Sequence, residues 1–181
     1  MSIPQGHEHW DLKNSLMTLR GIEERYRRIW NFPKPTIAQV HGHCLAAGCY
    51  LQMLCDISVA AEDALLGHPA QRLGGVSSMP LWQVMMGPKK ARYLLMTGRL
   101  VSGAEAERMR LVSLAAPPET LEETVNQIAD EVAAVPHYGA LYNKEALNTA
   151  LEILGVGALF RYHGQHNALG RLIEGFGWES A

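Results

Sequence analysis

The chain has 181 residues, of which 48% are hydrophobic and 19% charged, and its formal net charge is −2. This size and apolar fraction predict one domain, residues 1–181, with a core of its own. Sixteen Lys and Arg against eighteen Asp and Glu leave no basic block, which argues against nucleic-acid binding. The first twenty residues lack the apolar segment of a secretory signal, so a cytoplasmic protein is expected.

Three cysteines, Cys44, Cys49 and Cys55, lie close together without a C-x-x-C pair. This spacing fits neither a disulfide framework nor a structural zinc site, so we expect them to be reduced and buried. The stretch 35–55 contains no Asp, Glu, Lys or Arg and is long enough to cross a bilayer. Its His, Gln and Gly residues interrupt the apolar run, so no membrane span and no membrane partner are predicted.

The first half of the chain alternates helix and strand signals. Apolar residues recur every three or four positions over 12–30, which predicts an amphipathic helix that Pro33 and Pro35 end. A β-prone run predicts a strand at 36–40, and helical spacing resumes from Leu45. Two more strands are predicted at 57–61 and 64–67, before a loop-rich stretch that runs to residue 80.

The second half is predicted to be mostly helical. Pro88 can open a helix to about residue 97, and the capping box Ser102 to Glu105 begins another. Residues 111–115 are a strand candidate. Three further helices are predicted at about 120–134, 139–154 and 158–175.

Short motifs occur in a fixed order along these elements. They are K-P-T-I-A-Q-V-H-G at 34–42, L-A-A-G-C at 45–49, C-D-I at 55–57, G-H-P at 67–69, L-M-T-G at 95–98 and S-G-A-E-A at 102–106. Together they resemble the core of the crotonase (enoyl-CoA hydratase/isomerase) superfamily over roughly residues 30–175. The resemblance implies an α/β fold, with a crotonase-like ββα spiral core at about 34–116 and C-terminal helices at about 117–178.

The resemblance also implies a substrate and an oxyanion hole. Family members bind an acyl-CoA thioester whose carbonyl oxygen meets two backbone N–H groups, and these fixed dipoles stabilise the enolate. Matched to the family motif, the second donor is the N–H of Ala47, where alanine is tolerable if its φ is negative. The other reading is that these small residues only allow close helix packing.

The substrate pocket that the motifs imply combines three short segments. Its expected residues are Ala46, Gly48, His68, Ala70, Gly74 and Ser78. The resemblance implies a coenzyme A thioester as substrate. No other cofactor is expected, since the sequence contains no metal-ligand cluster or nucleotide-binding loop.

Two departures from the family pattern concern the chemistry. A hydratase of this family uses two glutamates, and those positions hold Tyr50 and Ala70 here. Because alanine cannot titrate, ordinary water addition is doubtful, and Tyr50, His43 and His68 are the candidates to carry a proton. The alternatives are that Tyr50 fills the volume of a glutamate and that the histidines are neutral and hydrogen-bonded. Cys44 and Cys49 would be nucleophiles only beside an activating base.

Met1 falls just downstream of the family's first oxyanion donor, so we expect a core lacking its first strands. Two functions stay open: a hydratase- or isomerase-like enzyme acting on acyl-CoA, and a non-catalytic acyl-CoA-binding or assembly subunit. The resemblance implies a homo-oligomer, a trimer or hexamer, formed in part by the C-terminal helices. Their apolar stripe comprises Leu159, Phe160, Leu169, Leu172, Ile173, Phe176 and Trp178, and the alternative is that it packs on its own core.

Overall fold

The computed structural model describes residues 12–170. Helix α1 (Leu12–Trp30) ends at the residue that the spacing predicts, and its first residue is also the first described one. Tyr26 and Ile29 lie against the core and Trp30 is buried within it. The chain then turns through Pro33 and Pro35, which lack the amide proton that a longer helix would need.

Two three-stranded sheets form the centre of the fold. Strands β1 (Ile37–Val40), β3 (Ile57–Ala61) and β6 (Leu114–Ala116) make an all-parallel sheet in the order β1-β3-β6. The second sheet has the order β2-β4-β5. It comprises β2 (His43–Leu45), β4 (Leu65–Gly67) and β5 (Leu100–Ser102), with β2 parallel and β5 antiparallel to β4.

The sequence patterns missed two of these strands. Both β2 and β5 are three residues long, too short to show an alternating pattern, and each exists because it pairs with β4. Helix α2 (Ala47–Leu54) therefore starts after β2, two residues later than expected. The strand predicted at 111–115 lies at Leu114–Ala116, because the residues before it form a turn.

The helices of the second half follow the predicted order. Helix α3 (Leu81–Thr97) begins earlier than Pro88, with a break at Gly87, where φ is 76°. Helix α4 (Gly103–Arg108) starts at the predicted capping box. The last three helices are α5 (Leu121–Ala134), α6 (His137–Ile153) and α7 (Val156–Gly170). The predicted end of the last helix at 175 lies outside the described residues.

An ion pair connects helix α6 to the residue that precedes strand β3. The Lys144 ammonium on α6 lies 2.8 Å from the carboxylate of Asp56, which also accepts hydrogen bonds from the backbone and hydroxyl of Thr36. Lys144 is buried, and its pairing offsets part of the cost of removing an ammonium group from water. No helix within residues 12–170 is both long and apolar enough to cross a membrane.

The predicted apolar stripe of the C-terminal helices is only partly described. Phe160 is buried in the core, whereas Leu169 is 51% exposed and Leu159 is half-buried. Leu172, Ile173, Phe176 and Trp178 lie outside the described residues. The alternative reading, packing on the chain's own core, therefore holds for Phe160.

Candidate active site

A strained turn joins strand β2 to helix α2. The N–H of Ala46 donates to the carbonyl of Gly67 at 2.9 Å, which extends the pairing of β2 with β4 by one residue. Ala46 then adopts φ 47° and ψ −110°, close to the first central residue of a type II′ turn, which favours glycine. Its carbonyl accepts from the N–H of Tyr50 at 3.0 Å and closes the first turn of α2.

The N–H of Ala47 is therefore the first of helix α2. The first N–H groups of a helix have no acceptor within it, and no acceptor for Ala47 N–H is found among residues 12–170. Ala47 is exposed, and its φ is not among the positive values, so the condition set by the sequence is met. A carbonyl oxygen placed there would meet a free donor and the positive end of the helix dipole.

Behind this turn, Tyr50 belongs to a buried chain of hydrogen bonds. Its hydroxyl contacts Nε2 of His68, whose Nδ1 contacts the Oε1 of Gln71. Since Oε1 can only accept, the proton of His68 is on Nδ1, and Tyr50 donates to Nε2. Ser77 Oγ lies 3.1 Å from the Tyr50 hydroxyl and accepts from Trp82 Nε1 at 2.9 Å. Donation thus runs from Trp82 through Ser77 and Tyr50 to His68.

Burial keeps both members of the Tyr50–His68 pair neutral. Tyr50 is 5% exposed, and burial raises the pKa of its hydroxyl to about 12. Burial also lowers the pKa of His68 below its usual range, against the opposing effect of the hydrogen bond with Gln71. The pair at neutral pH is a phenol donating to a neutral imidazole, which can still accept a proton.

Aromatic rings surround the pair. The ring of Tyr50 stacks on His68 with centroids 5.4 Å apart, and Tyr26 and Trp82 meet Tyr50 edge-on at 6.0 and 6.4 Å. These contacts agree with the alternative reading that Tyr50 packs in the space of a glutamate. The ring of Tyr50 packs against its neighbours while its hydroxyl is hydrogen-bonded.

The other expected pocket residues lie on the loop after β4. Ala70 is within a 3-10 helix at Pro69–Leu73, and its carbonyl accepts from the N–H of Gly75 at 2.7 Å. Gly74 ends that helix with φ 80° and is exposed. Ser78 is half-buried and is near enough to Tyr26 on α1 to oppose the rise that burial causes in the pKa of the Tyr26 hydroxyl.

The third proton-carrying candidate, His43, is separated from this group. It is exposed on β2, and no contact between it and the Tyr50–His68 pair is found in the described part of the chain. The two histidine candidates therefore differ, since only His68 reaches Tyr50.

Four members of the network were missed by sequence reasoning. Ser77, Gln71 and Trp82 lie in none of the motifs that the sequence shows. His163, on α7, lies with Nδ1 3.2 Å from the carbonyl of Ser77 and so holds that loop from the C-terminal helices. Of these contacts, only the one between His68 and Gln71 could have been inferred from the sequence, because the two residues are three positions apart.

Other features of the described residues lie away from this turn. A cleft of about 330 Å³ is lined by Gln52, Asp56, Met85 and Arg110 among others, and by none of the expected pocket residues. Across 12–170, no three His, Cys, Asp or Glu side chains are grouped so as to hold a metal ion.

The two interleaved small sheets, the strand-turn-helix at Ala46 and the helical C-terminal region define a crotonase-type α/β protein. The sequence model of the family described as enoyl-CoA hydratase/isomerase matches residues 9–161. The chain belongs to this family, and so to the crotonase superfamily.

Relatives and solved structures agree with this assignment. A Rhizobium meliloti protein named "Probable enoyl-CoA hydratase" is 38% identical over 131 residues, covering 71% of this chain and 51% of that protein. A Bacillus subtilis protein of the same name is 34% identical over 157 residues, covering 83% and 57%. The crystal structure of an enoyl-CoA hydratase from Mycobacterium smegmatis superposes with a TM-score of 0.87 at 28% identity, covering 94% of this chain and 58% of that one. The chain thus spans about half the length of the curated relatives it matches.

Proposed function

We propose that this protein binds an acyl-CoA thioester with the carbonyl oxygen at the N–H of Ala47. The observation that carries the proposal is a free, exposed N–H at the start of α2, in a chain that belongs to the enoyl-CoA hydratase/isomerase family. A donor already held in place by the helix costs no reorganisation when charge develops on the oxygen. Coenzyme A thioester is the proposed ligand, with no other cofactor.

The proposed reaction is hydratase- or isomerase-like, with Tyr50 and His68 replacing the two glutamates. Tyr50 takes a proton from water or from a substrate carbon while its own proton passes to Nε2 of His68. His68 then holds the positive charge until the proton returns through Tyr50 to the product. The neutral state of both groups supports this relay, because His68 Nε2 starts unprotonated and accepts the hydrogen bond along which the proton passes.

A non-catalytic acyl-CoA-binding or assembly role is the second candidate. It is favoured by one observation: Tyr50 is 5% exposed, and its hydroxyl already has two partners, His68 and Ser77. A relay needs the reacting atom within hydrogen-bond reach of Tyr50 Oη. If substrate does not reach it, Ala47 binds a thioester that is not turned over.

Carbonyl recognition is tested with two ligands on the unaltered protein. Isothermal titration compares a short acyl-CoA thioester with the matching thioether, which lacks the carbonyl oxygen. One hydrogen bond to Ala47 predicts about fivefold to tenfold tighter binding of the thioester. Equal affinities would overturn carbonyl recognition, and binding of neither ligand would overturn acyl-CoA binding altogether.

The relay is tested with Tyr50→Phe. Turnover of a short enoyl-CoA, followed by chromatography of the products, should be lost while thioester affinity stays within about twofold of the unaltered protein. Tyr142→Phe is the matched control, since that residue is 63% exposed and distant in sequence from the turn. Turnover that survives Tyr50→Phe would exclude Tyr50 as the relay, and binding without turnover in the unaltered protein would favour the second candidate.

A further inference from the structure

Two free thiols flank the turn that presents Ala47. Cys44 lies in β2 and Cys49 in α2, and both are buried. The four residues between them include the strained Ala46 and the free donor of Ala47. Neither thiol takes part in the proposed relay.

The side chains of the two cysteines meet across this turn. Cys49 Sγ donates to the carbonyl of Cys44 at 2.8 Å, and the two thiols are near enough for each to shift the pKa of the other. A methyl group built on Gly48 would lie 3.8 Å from Cys44 Sγ, so the start of α2 passes directly over that sulfur. The backbone therefore brings both side chains to the same side of the turn, and a disulfide needs their sulfur atoms to approach further.

The two thiols differ in their readiness to react. Cys44 is 8% exposed, and its contact with Cys49 lowers the pKa of its thiol, against the opposing effect of burial. Cys49 is fully buried, and the same contact together with burial raises its pKa. A thiolate is the nucleophile in thiol oxidation, so Cys44 is the attacking member and Cys49 the neighbour that resolves the product.

We propose that Cys44 and Cys49 form a peroxide-sensitive disulfide that closes a ring around the Ala46–Ala47 turn. The Cys44 thiolate attacks hydrogen peroxide and, with one proton taken up, gives a sulfenic acid and water. The Cys49 thiol then displaces the hydroxyl group as a second water, and the S–S bond forms. Peroxide gains the two electrons that the two sulfurs lose.

The disulfide changes the geometry of the donor. Cys49 Sγ must leave the Cys44 carbonyl to bond to Cys44 Sγ, and this draws the first turn of α2 towards β2. The oxidised protein therefore binds acyl-CoA more weakly. This consequence rests on the proposed function, whereas the disulfide itself does not.

The disulfide is tested on the full chain by intact mass after peroxide treatment and alkylation under denaturing conditions. All three cysteines would share one tryptic peptide, because no Lys or Arg lies between Pro35 and Gln71. The Cys55→Ser variant removes this ambiguity by leaving only Cys44 and Cys49. After peroxide treatment we expect this variant to have no alkylatable thiol and a mass lower by two hydrogen atoms, with no covalent link between chains. Dithiothreitol should restore both thiols.

Single variants assign the two roles. Cys49→Ser should accumulate a sulfenic acid on Cys44 that dimedone traps, whereas Cys44→Ser should be little modified. Cys49→Ala replaces Cys49→Ser if circular dichroism shows that the serine variant does not fold. A folded Cys55→Ser protein that keeps two alkylatable thiols after peroxide treatment would overturn the proposal.

The effect on binding is measured separately by titrating acyl-CoA into reduced and oxidised Cys55→Ser protein. Weaker binding that dithiothreitol reverses is the expected result. A disulfide with unchanged affinity would overturn the effect on the donor but not the modification. Absence of binding even in the reduced protein would count against the proposed function alone.

Discussion

At the scale of single residues, Ala46 has a strained backbone conformation at the start of the candidate site. Its φ of 47° with ψ −110° is close to a conformation that glycine adopts freely and alanine does not. The residue accepts this strain because its N–H and carbonyl are both engaged, one in the sheet and one in helix α2. The same backbone path leaves the next N–H, that of Ala47, without a partner among the described residues.

We predict that Ala46→Gly stabilises the protein. Relief of backbone strain contributes about 1–3 kcal/mol, and the greater freedom of glycine in the unfolded chain removes about 0.4–1 kcal/mol of it. The net gain of about 1 kcal/mol is measured by urea unfolding. A lower midpoint in Ala46→Gly at unchanged slope would show that the alanine is not strained.

Acid should destabilise the protein through His68. Burial lowers its folded pKa below the usual 6.5, so the unfolded chain takes up the proton first as the pH falls. The contribution of His68 to the free energy of unfolding is therefore fully present above about pH 6.5 and is lost as the pH drops towards the folded pKa. Burial also lowers the pKa of His163, so that residue likewise destabilises the protein in acid. Melting temperatures at about pH 7.5 and 5.5 should differ more in the unaltered protein than in His68→Gln. An equal difference in both would exclude His68 as a source of the acid sensitivity.

At the scale of elements, the start of α4 depends both on a local capping box and on a close contact with strand β3. Ser102 Oγ accepts from the N–H of Glu105, and the Glu105 carboxylate accepts from the N–H of Ser102, each at 3.1 Å. The capping box predicts this helix start from sequence alone. It could not predict that Gly103, the next residue, lies against the carbonyl of Ala61 in β3.

Gly103→Ala is predicted to be severely destabilising. A methyl group there would lie 1.9 Å from the carbonyl oxygen of Ala61, so helix and strand would have to separate, at a cost of about 2–4 kcal/mol. Gly139→Ala in α6 is the matched control, because its methyl group meets only Val135 at 3.7 Å. That variant should be neutral or more stable by about 0.5–1 kcal/mol. Similar unfolding midpoints for the two variants would contradict the close approach.

At the scale of the whole molecule, the C-terminal helices expose large apolar side chains that the fold does not use. Those exposed by at least half on α6 and α7 and the loop between them are Tyr138, Tyr142, Leu147, Ile153, Leu154, Tyr162 and Leu169. Side chains of this kind in one region often mark an association surface. They agree with the homo-oligomer that the family resemblance implies.

We predict a trimer or hexamer by light scattering at micromolar concentration. Replacing Ile153 and Leu154, which are 80% and 78% exposed, by glutamate should lower the mass to that of a monomer without changing the circular dichroism spectrum. Tyr93→Glu on α3, exposed by 48%, is the control and should leave the mass unchanged. A monomeric unaltered protein would exclude the oligomer.

Much of the fold could be predicted from sequence because its longer elements carry a repeating signal. The end of α1, the parallel-sheet strand β3 and the capped start of α4 all follow from local periodicity or from a single hydrogen-bonding motif. The helix that carries Ala47 was also predicted from its spacing, although strand β2 before it was not. These features depend on residues close together in the chain.

The tertiary structure alone decided how these elements meet. Strands β2 and β5 exist only because they pair with β4. Ser77 and Trp82 complete the hydrogen-bond network of the Tyr50–His68 pair. His163, on the distant helix α7, contacts the carbonyl of Ser77. Sequence determined the family and the presence of helix α2, because both are recorded in neighbouring residues. Tertiary packing alone decided which side chains contact Tyr50. Hydrogen bonds and buried contacts between distant segments produce no periodic pattern in the sequence, so the sequence could not predict them.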